Sequence, residues 1–238
     1  MSIVHHALGQ LDGPDTSALI VHGSHAHGAA DQLSDLDIIR VQYQEGLVQR
    51  FYDWNGVKVD LYGNTSAAIL SNLSKPARFN NHFLINSLTD CLVWLDRSGE
   101  AALLVAKAKE LRELGPVAMT EKDRAYIVFS LRRLEDSVSH LVARPQHKPF
   151  AEMRTGDLFK YSVYFYMMVT RRWSASLRDT VAALRVSGDP LSGPLDTFLS
   201  EPDVAKRLPI LHGIIETVCS TKLVGGGREG KPNLQGFM

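Results

Sequence analysis

Three aspartates in otherwise apolar segments are the residues of this sequence best suited to chemistry. Asp35 and Asp37 flank Leu36, and Asp60 follows in a second apolar run, 57–61. A buried carboxylate without a partner is costly, so such residues are rarely placed in apolar strands by chance. Two carboxylates about 4 Å apart repel by about 4 kcal/mol at an effective dielectric constant of about 20. A bound cation removes that repulsion, and oxygen ligands favour Mg²⁺ or Mn²⁺. The three aspartates are therefore predicted metal ligands.

A Gly-Ser pair, Gly23 and Ser24, comes before the aspartates, with ten residues between Ser24 and Asp35. Glycine in a strand-to-helix turn lets backbone N–H groups approach phosphate oxygens, and the start of a helix adds a favourable dipole. The serine hydroxyl can donate one more hydrogen bond. Both residues are therefore predicted to bind phosphate. The sequence lacks G-x-x-x-x-G-K-[ST], which argues against a P-loop NTPase.

Each feature alone has a simpler interpretation. An Asp-x-Asp on a surface strand is usually solvated, and a Gly-Ser pair is usually only a turn. The combination, at this spacing and with a third aspartate after a hairpin, favours a functional site.

The aspartates must be positioned by neighbouring strands. Three strands are predicted here, over 35–43, 47–54 and 57–62. Asn55 and Gly56 are typical of a type I′ hairpin turn because both tolerate a positive φ. Alternate residues of a strand point to the same face, so Asp35 and Asp37 are predicted to project together. If the first and third strands lie in one sheet, Asp60 can join them on that face.

The remaining patterns predict an α+β fold. Further elements are predicted before residue 115: a strand over 18–22, a short helix over 24–31 with Ser24 as its N-cap, a helix over 64–73, a strand over 92–95 and a helix over 99–114. Beyond Gly115-Pro116 the strand signals nearly disappear. The elements predicted there are helices over 120–142, 151–177 and 204–223, the first opened by a Thr120–Asp123 capping box, and a loop over 187–194. We therefore expect a mixed-sheet domain with flanking helices over 1–115, a helical bundle over 116–224 and a flexible tail over 225–238.

Composition excludes several function classes. The 238 residues have a formal net charge of zero, which argues against wholesale electrostatic binding to nucleic acid or to an anionic membrane. Residues 1–115 carry thirteen acidic against nine basic side chains, and residues 119–178 carry eleven basic against six acidic. This split suits metal ligands facing phosphate-binding groups, or simply two solvated faces. Cys91 and Cys219 form no disulfide or metal pattern. Without a signal peptide or membrane span, the chain is expected to be cytoplasmic.

Gly23-Ser24, the ten-residue gap, Asp35-Leu36-Asp37 and Asp60 together resemble the signature of the nucleotidyltransferase superfamily, which includes DNA polymerase beta and kanamycin nucleotidyltransferase. The stretch Gly-Ser-x-Ala-x-Gly-x-Ala-x-x-x-Ser-Asp-x-Asp is especially similar to small bacterial nucleotidyltransferase-domain proteins. The resemblance covers about forty residues and does not name an acceptor.

The resemblance implies two-metal transfer of AMP from ATP to an acceptor hydroxyl, with release of pyrophosphate. Asp35 and Asp37 would hold both Mg²⁺ or Mn²⁺ ions. Asp60 would hold the ion nearest the acceptor hydroxyl. Gly23 and Ser24 would bind the β and γ phosphates. The implied partners are a nucleoside triphosphate and a small molecule, protein or RNA that carries the hydroxyl, with neither membrane nor strong nucleic-acid binding.

The sequence departs from the family in one place, where His25 and His27 stand at positions that are Arg in many relatives. Neutral imidazole binds phosphate more weakly than guanidinium, so nucleotide affinity is expected to be lower or pH-dependent. The simpler alternative is that both are exposed positions of the predicted helix.

Three residues of the helical half are candidates for contact with phosphates or acceptor. Arg154, Lys160 and Tyr161 lie close together on the predicted helix over 151–177, although a solvated basic face would look the same. Glu152 could act as a general base, as in some antibiotic nucleotidyltransferases, but no motif supports it.

Two function classes stay open. The first is a nucleotidyltransferase, which the presence of all three aspartates favours. The second is a nucleotide-binding regulatory or antitoxin-like module with the same fold and little catalysis. A template polymerase is disfavoured because no basic DNA-binding domain is evident.

Overall fold

The structure is a computed structural model, and it describes residues 3–75 and 80–225. The described chain divides into two compact units. The first contains residues 3–75 and 83–114, and the second contains residues 80–82 and 115–225. The predicted tail over 225–238 lies outside the described residues except for Gly225.

A mixed five-stranded sheet forms the centre of the first unit. Its strands are β1 (Thr16–His22), β2 (Leu36–Gln42), β3 (Val48–Trp54), β4 (Val57–Asn64) and β5 (Leu92–Asp96), in the spatial order β3-β4-β2-β1-β5. β2 and β4 are parallel, and the other neighbours are antiparallel. Asn55 and Gly56 have φ angles of 50° and 86°, as the predicted hairpin turn between β3 and β4 requires. The predicted α+β class with a mixed sheet followed by helices is confirmed.

The central strand β2 is buried on both faces. Leu36 and Ile38 point to one face and Ile39 and Val41 to the other, and all four are fully buried. On the first face, Leu36 and Ile38 pack in a cluster with Leu8 of helix α1 (Ile3–Leu11). Asp35 and Asp37 lie at the N-terminal end of this strand, Asp35 just before it and Asp37 at its second position.

Three more helices complete the first unit: α2 (Ser66–Leu73), α3 (Phe83–Thr89) and α4 (Glu100–Leu114). α3 and α4 pack against each other and against β1. The Thr65 hydroxyl accepts a hydrogen bond from the Ala68 backbone N–H at 3.3 Å and so caps α2. α1 and α3 were not predicted, because neither carries a long periodic pattern of apolar residues.

The second unit is helical. Its helices are α5 (Glu121–Val142), α6 (Lys148–Val169), α7 (Leu177–Val186), α8 (Ser192–Ser200) and α9 (Val204–Ser220). The capping box at the start of α5 is present: the Thr120 hydroxyl accepts from the Asp123 N–H, and the Asp123 carboxylate accepts from the Thr120 N–H. α6 is the central helix of this unit, with Phe165 and Val163 fully buried.

Two predictions for the helical half were wrong. The helix expected over 151–177 ends at Val169, because Arg171 takes a left-handed conformation with a φ of 52°. Its N–H and that of Arg172 bond back to Met168 O and Met167 O, the pattern of a Schellman cap. Glycine usually marks such a cap, and Arg171 gives no such signal. The loop expected over 187–194 is also too long, since α8 starts at Ser192.

The short segment 80–82 belongs to the helical unit although the chain on its C-terminal side belongs to the sheet unit. The Asn80 side-chain amide donates to Arg172 O at 3.1 Å, and the Asn81 amide donates to Ala175 O at 2.9 Å. These bonds attach the segment to the α6–α7 connection. In the described part of the chain, no helix is both long and apolar enough to cross a bilayer.

Candidate functional site

Asp37 and Asp60 lie opposite each other on adjacent parallel strands. They are register partners in the β2–β4 ladder, so their side chains project from the same face of the sheet. Asp35 directly precedes β2 and is two positions from Asp37, which places it at the same end of the sheet. The strands that carry Asp37 and Asp60 thus lie in one sheet, the condition under which the sequence allows the aspartates to share a face.

The three carboxylates act on one another electrostatically. Burial raises the pKa of Asp37 to about 6, and repulsion from Asp35 and Asp60 adds to the shift. The pKa of Asp60 is also raised, by burial and then by the charge of Asp35. In residues 3–75 and 80–225, no salt bridge reaches any of the three carboxylates. Among the described residues, the cluster therefore holds negative charge with no cation at ion-pair distance.

Gly23 lies against the Asp37 carboxylate at the end of β1. A Cβ on Gly23 would lie 3.3 Å from Asp37 Cγ and would overlap Oδ2. Gly23 also has a φ of 68°, which favours glycine. Gly23 and Ser24 thus lie beside the carboxylates, and among the described residues the Ser24 hydroxyl has no hydrogen-bond partner.

The helix predicted over 24–31 is wrong. Gly23–His25 forms a single 3₁₀ turn that begins after His22, and Ser24 does not cap it. Gly28 has a φ of 67°, a conformation that cannot continue an α-helix. The helix dipole expected to favour phosphate at Ser24 is therefore absent, and binding there would depend on the N–H groups and hydroxyl of the turn.

The loop between the turn and β2 is closed by local hydrogen bonds. The Asp31 carboxylate accepts from the Leu33 N–H and from the Ser34 hydroxyl, both at 2.9 Å. Ser34 thus bonds Asp31 rather than orienting Asp35.

His27 is exposed, but His25 is half-buried, and within the described residues its Nε2 has no hydrogen-bond partner. The interpretation of both as exposed helix positions is therefore wrong, since His27 is exposed in a turn and His25 is half-buried.

His22 is a site residue that sequence reasoning missed. It is the register partner of Asp37 on β1 and is only 8% exposed. Burial lowers its pKa to about 4, against the attraction of Asp35, so the imidazole is neutral at pH 7. It ends an apolar strand directly before Gly23, and that placement is the signal that could have identified it.

Two aromatic side chains extend the cluster. Phe83, at the start of α3, lies edge-to-face with His22 at 5.6 Å and with Tyr62 at 5.7 Å between ring centroids. Phe83 is 49% exposed, so its ring is open to solvent. No pattern in the sequence pointed to Phe83, because it reaches the carboxylate face only through the fold.

The carboxylates suit a divalent cation by their chemistry. In the part of the chain that the structure describes, no three His, Cys, Asp or Glu side chains are grouped so that they could hold a metal ion. The aspartates nevertheless offer hard oxygen ligands at one end of the sheet, and their mutual repulsion is the cost that a cation would remove.

The candidates from the helical half lie on α6, in the second unit. Arg154 forms an ion pair with Asp157 at 3.7 Å, and the Lys160 ammonium lies 5.5 Å from the centroid of the Tyr161 ring. Glu152 lies on the same helix and is exposed. Nucleotide binding by Arg154 and Lys160 stays a prediction.

Comparisons with known proteins do not assign the chain to a family. No protein-family model matches the sequence, and no curated protein matches it. A solved structure described as a nucleotidyltransferase-like protein from Exiguobacterium sibiricum aligns over 91% of this chain and 72% of its own, with a TM-score of 0.46 and 12% sequence identity. A likeness of this degree does not define the function of the chain.

Proposed function

We propose that the protein is a metal-dependent nucleotidyltransferase that transfers AMP from ATP to a hydroxyl of an acceptor and releases pyrophosphate. The observation that carries this proposal is the register of Asp37 opposite Asp60, with Gly23 packed on the Asp37 carboxylate. This register supports the proposal because the groups proposed to bind phosphate and cations lie at one end of one sheet. The signature residues Gly23, Ser24, Asp35, Asp37 and Asp60 support the same chemistry.

Asp35, Asp37 and Asp60 are the residues that would hold Mg²⁺ or Mn²⁺. When bound, the cations would neutralise charge on the triphosphate and make the acceptor hydroxyl more acidic. Asp60 is exposed, whereas Asp35 and Asp37 are half-buried. This difference supports a role for Asp60 on the side that the acceptor approaches from solvent.

Gly23 and Ser24 would orient the triphosphate. The missing side chain of Gly23 lets the backbone lie against Asp37, so a phosphate held at the turn lies near the carboxylates. The Ser24 hydroxyl donates to a phosphate oxygen. In-line attack by the acceptor hydroxyl oxygen on the α phosphorus forms the new P–O bond and breaks the bond to the pyrophosphate oxygen, and the hydroxyl proton leaves to Asp60 or to water.

Label transfer tests the proposal. The protein is incubated with Mg²⁺, pooled hydroxyl acceptors and ATP labelled at either the α or the γ phosphate. We expect the α label to move to an acceptor and the γ label to leave as pyrophosphate. Asp37→Asn should lower transfer by about a thousandfold, because a neutral amide is a poor ligand for the metal.

Asp90→Asn is the matched control, since Asp90 pairs with Arg112 at 3.3 Å away from the carboxylate cluster. It should transfer label like the wild type. Transfer of the γ label would identify a kinase instead. Tight ATP binding without transfer to any acceptor would favour the alternative, a nucleotide-binding regulatory module.

A further inference from the structure

A cavity of about 550 Å³ opens on the α1 side of the sheet, next to the edge strand β3. Arg40 lines it from β2 and Leu61 from β4, and these residues lie three and one positions after Asp37 and Asp60. Odd spacings in a strand reverse the face, so the cavity and the carboxylate cluster lie on opposite faces. The lining residues are Leu11, Arg40, Val48, Gln49, Arg50, Phe51, Tyr52 and Leu61.

The cavity exists because α1 covers only part of the sheet. A helix is about 10 Å wide, whereas five strands span about 19 Å. Leu8 of α1 packs with Leu36 and Ile38, at the centre of the sheet. The surface of β3 beyond the C-terminal end of α1 is therefore left open.

The walls of the cavity carry positive charge. Arg40 and Arg50 are its charged lining residues, and none of the lining residues is acidic. Arg40 Nη2 bonds Asp15 Oδ2 at 3.2 Å, but its Nε is buried and has no hydrogen-bond partner within the described residues. Arg50 is exposed and, in the described part of the chain, forms no ion pair. Of the two guanidinium groups, that of Arg50 is therefore the one that is exposed and has no acidic partner among the described residues.

The other lining side chains fit an organic molecule. Burial raises the pKa of Tyr52 against the opposing effect of Arg50, so the phenol is a hydrogen-bond donor at neutral pH. Leu11, Val48 and Leu61 supply apolar surface continuous with the cluster beneath α1. The volume lies within the range of about 300–1,000 Å³ typical of small-molecule sites.

We propose that this cavity binds a small organic carboxylate with an apolar or aromatic body. A carboxylate can accept paired hydrogen bonds from guanidinium groups, and the apolar surface favours an organic acid over an inorganic ion. This site is separate from the nucleotidyl-transfer site proposed above and does not depend on it. The aspartates of the opposite face repel the same ligands, so binding at the two sites can be distinguished.

Methyl NMR with a matched pair of probes tests the proposal. 4-Phenylbutyrate and its neutral counterpart 4-phenylbutan-1-ol are titrated into protein labelled at Leu and Val methyl groups. We expect the acid to shift the signals of Leu11, Val48 and Leu61 and to bind about tenfold more tightly than the alcohol. Phenyl phosphate is titrated in parallel. Binding of the phosphate but not of the carboxylate would overturn the proposal.

Arg50→Gln should weaken binding of the acid by about tenfold and leave the alcohol unchanged. Arg50 is exposed, so this variant is expected to fold. Arg112→Gln on α4 is the matched control and should bind the acid like the wild type. Equal affinity for acid and alcohol, unchanged affinity in Arg50→Gln, or shifts confined to methyl groups outside the cavity would each overturn the proposal.

Discussion

Gly23 and Asp37 approach so closely that the Asp37 carboxylate occupies the space where a side chain at position 23 would place its Cβ. Gly23 directly follows His22, the last β1 residue of the β1–β2 ladder, and Asp37 is the partner of His22. The contact therefore joins the candidate phosphate-binding turn to the candidate metal ligands. It makes the glycine necessary for two reasons, its positive φ and this contact.

Gly23→Ala is expected to lower both stability and label transfer. A left-handed conformation costs a residue with a Cβ about 1–2 kcal/mol, and Asp37 must also move. Gly28→Ala is the matched control, because Gly28 has nearly the same φ, 67° against 68°, but has open space around its Cβ position. The measurements are thermal unfolding and label transfer. Gly28→Ala should lose stability alone, and equal loss of transfer in both variants would contradict the importance of the Asp37 contact.

Asp37 is expected to destabilise the protein at neutral pH when no metal is bound. Its pKa is about 6 in the folded state, above the ordinary value of 3.8. Between these values the folded state binds more protons than the unfolded state, so the free energy of unfolding falls as the pH rises from about 4 to about 6. Asp37→Asn removes this dependence and should be more stable than the wild type at pH 7.

Urea unfolding of both proteins between pH 4 and pH 7, in the presence of EDTA, measures this difference. The stability gap between Asp37→Asn and the wild type should widen across that range. Asp90→Asn should show no such widening. A constant gap would mean that repulsion and burial do not act on Asp37 as inferred.

The sequence could predict the carboxylate face but not the strand order that completes it. Alternation along each strand and the Asn55-Gly56 hairpin were enough to expect Asp37 and Asp60 on one face of a sheet. The adjacency of β2 and β4 depends on β3 taking the edge position, which long-range packing decides. The position of Phe83 beside the carboxylate face likewise depends on long-range packing, because Phe83 lies on a helix far along the chain.

Sequence patterns also failed to predict the end of α6, where a residue other than glycine takes a left-handed conformation. Arg171 ends α6 with a positive φ, supported by a bond from its Nε to Pro116 O at 3.1 Å. That bond is a tertiary contact, so the sequence pattern alone predicted a helix continuing to residue 177. At the site, the positive φ of Gly28 replaced the expected helix with a turn.

His22 is expected to contribute stability that is lost in acid. Its pKa falls from 6.5 to about 4 on folding, so the unfolded state binds more protons between those values. Stability from the neutral imidazole is present above pH 6.5 and is lost as the pH falls toward 4. His22→Phe, which keeps an aromatic ring against Phe83, should be less sensitive to this pH range. Unfolding at several pH values measures the effect, and parallel curves for wild type and variant would contradict it.

The capping box of α5 is expected to stabilise the helical unit. Thr120→Ala leaves the Asp123 N–H without its acceptor and should cost about 1 kcal/mol. Hydrogen exchange of amides in the first turn of α5 measures the loss locally. Thr197→Ala is the control, because Thr197 is exposed and, among the described residues, its hydroxyl donates only to the carbonyl of Gly193 within α8. Equal effects of the two substitutions on their own helices would argue against a specific role for the cap.

Magnesium is expected to reverse the penalty that the carboxylates impose. A ligand that binds only the folded state stabilises it by about 2.7 kcal/mol at a concentration of 100 times its Kd. Mg²⁺ should therefore raise the Tm of the wild type at pH 7.5, and raise it less at pH 5, where protons compete for Asp37. Asp37→Asn should start from a higher Tm without Mg²⁺ and gain little when it is added. Asp90→Asn should respond like the wild type, so an equal gain in all three proteins would place the magnesium site elsewhere. Asp37→Asn should thus have a higher Tm than the wild type without Mg²⁺ but gain less when Mg²⁺ is added. This pair of results distinguishes a cluster that binds a cation from carboxylates that are only solvated.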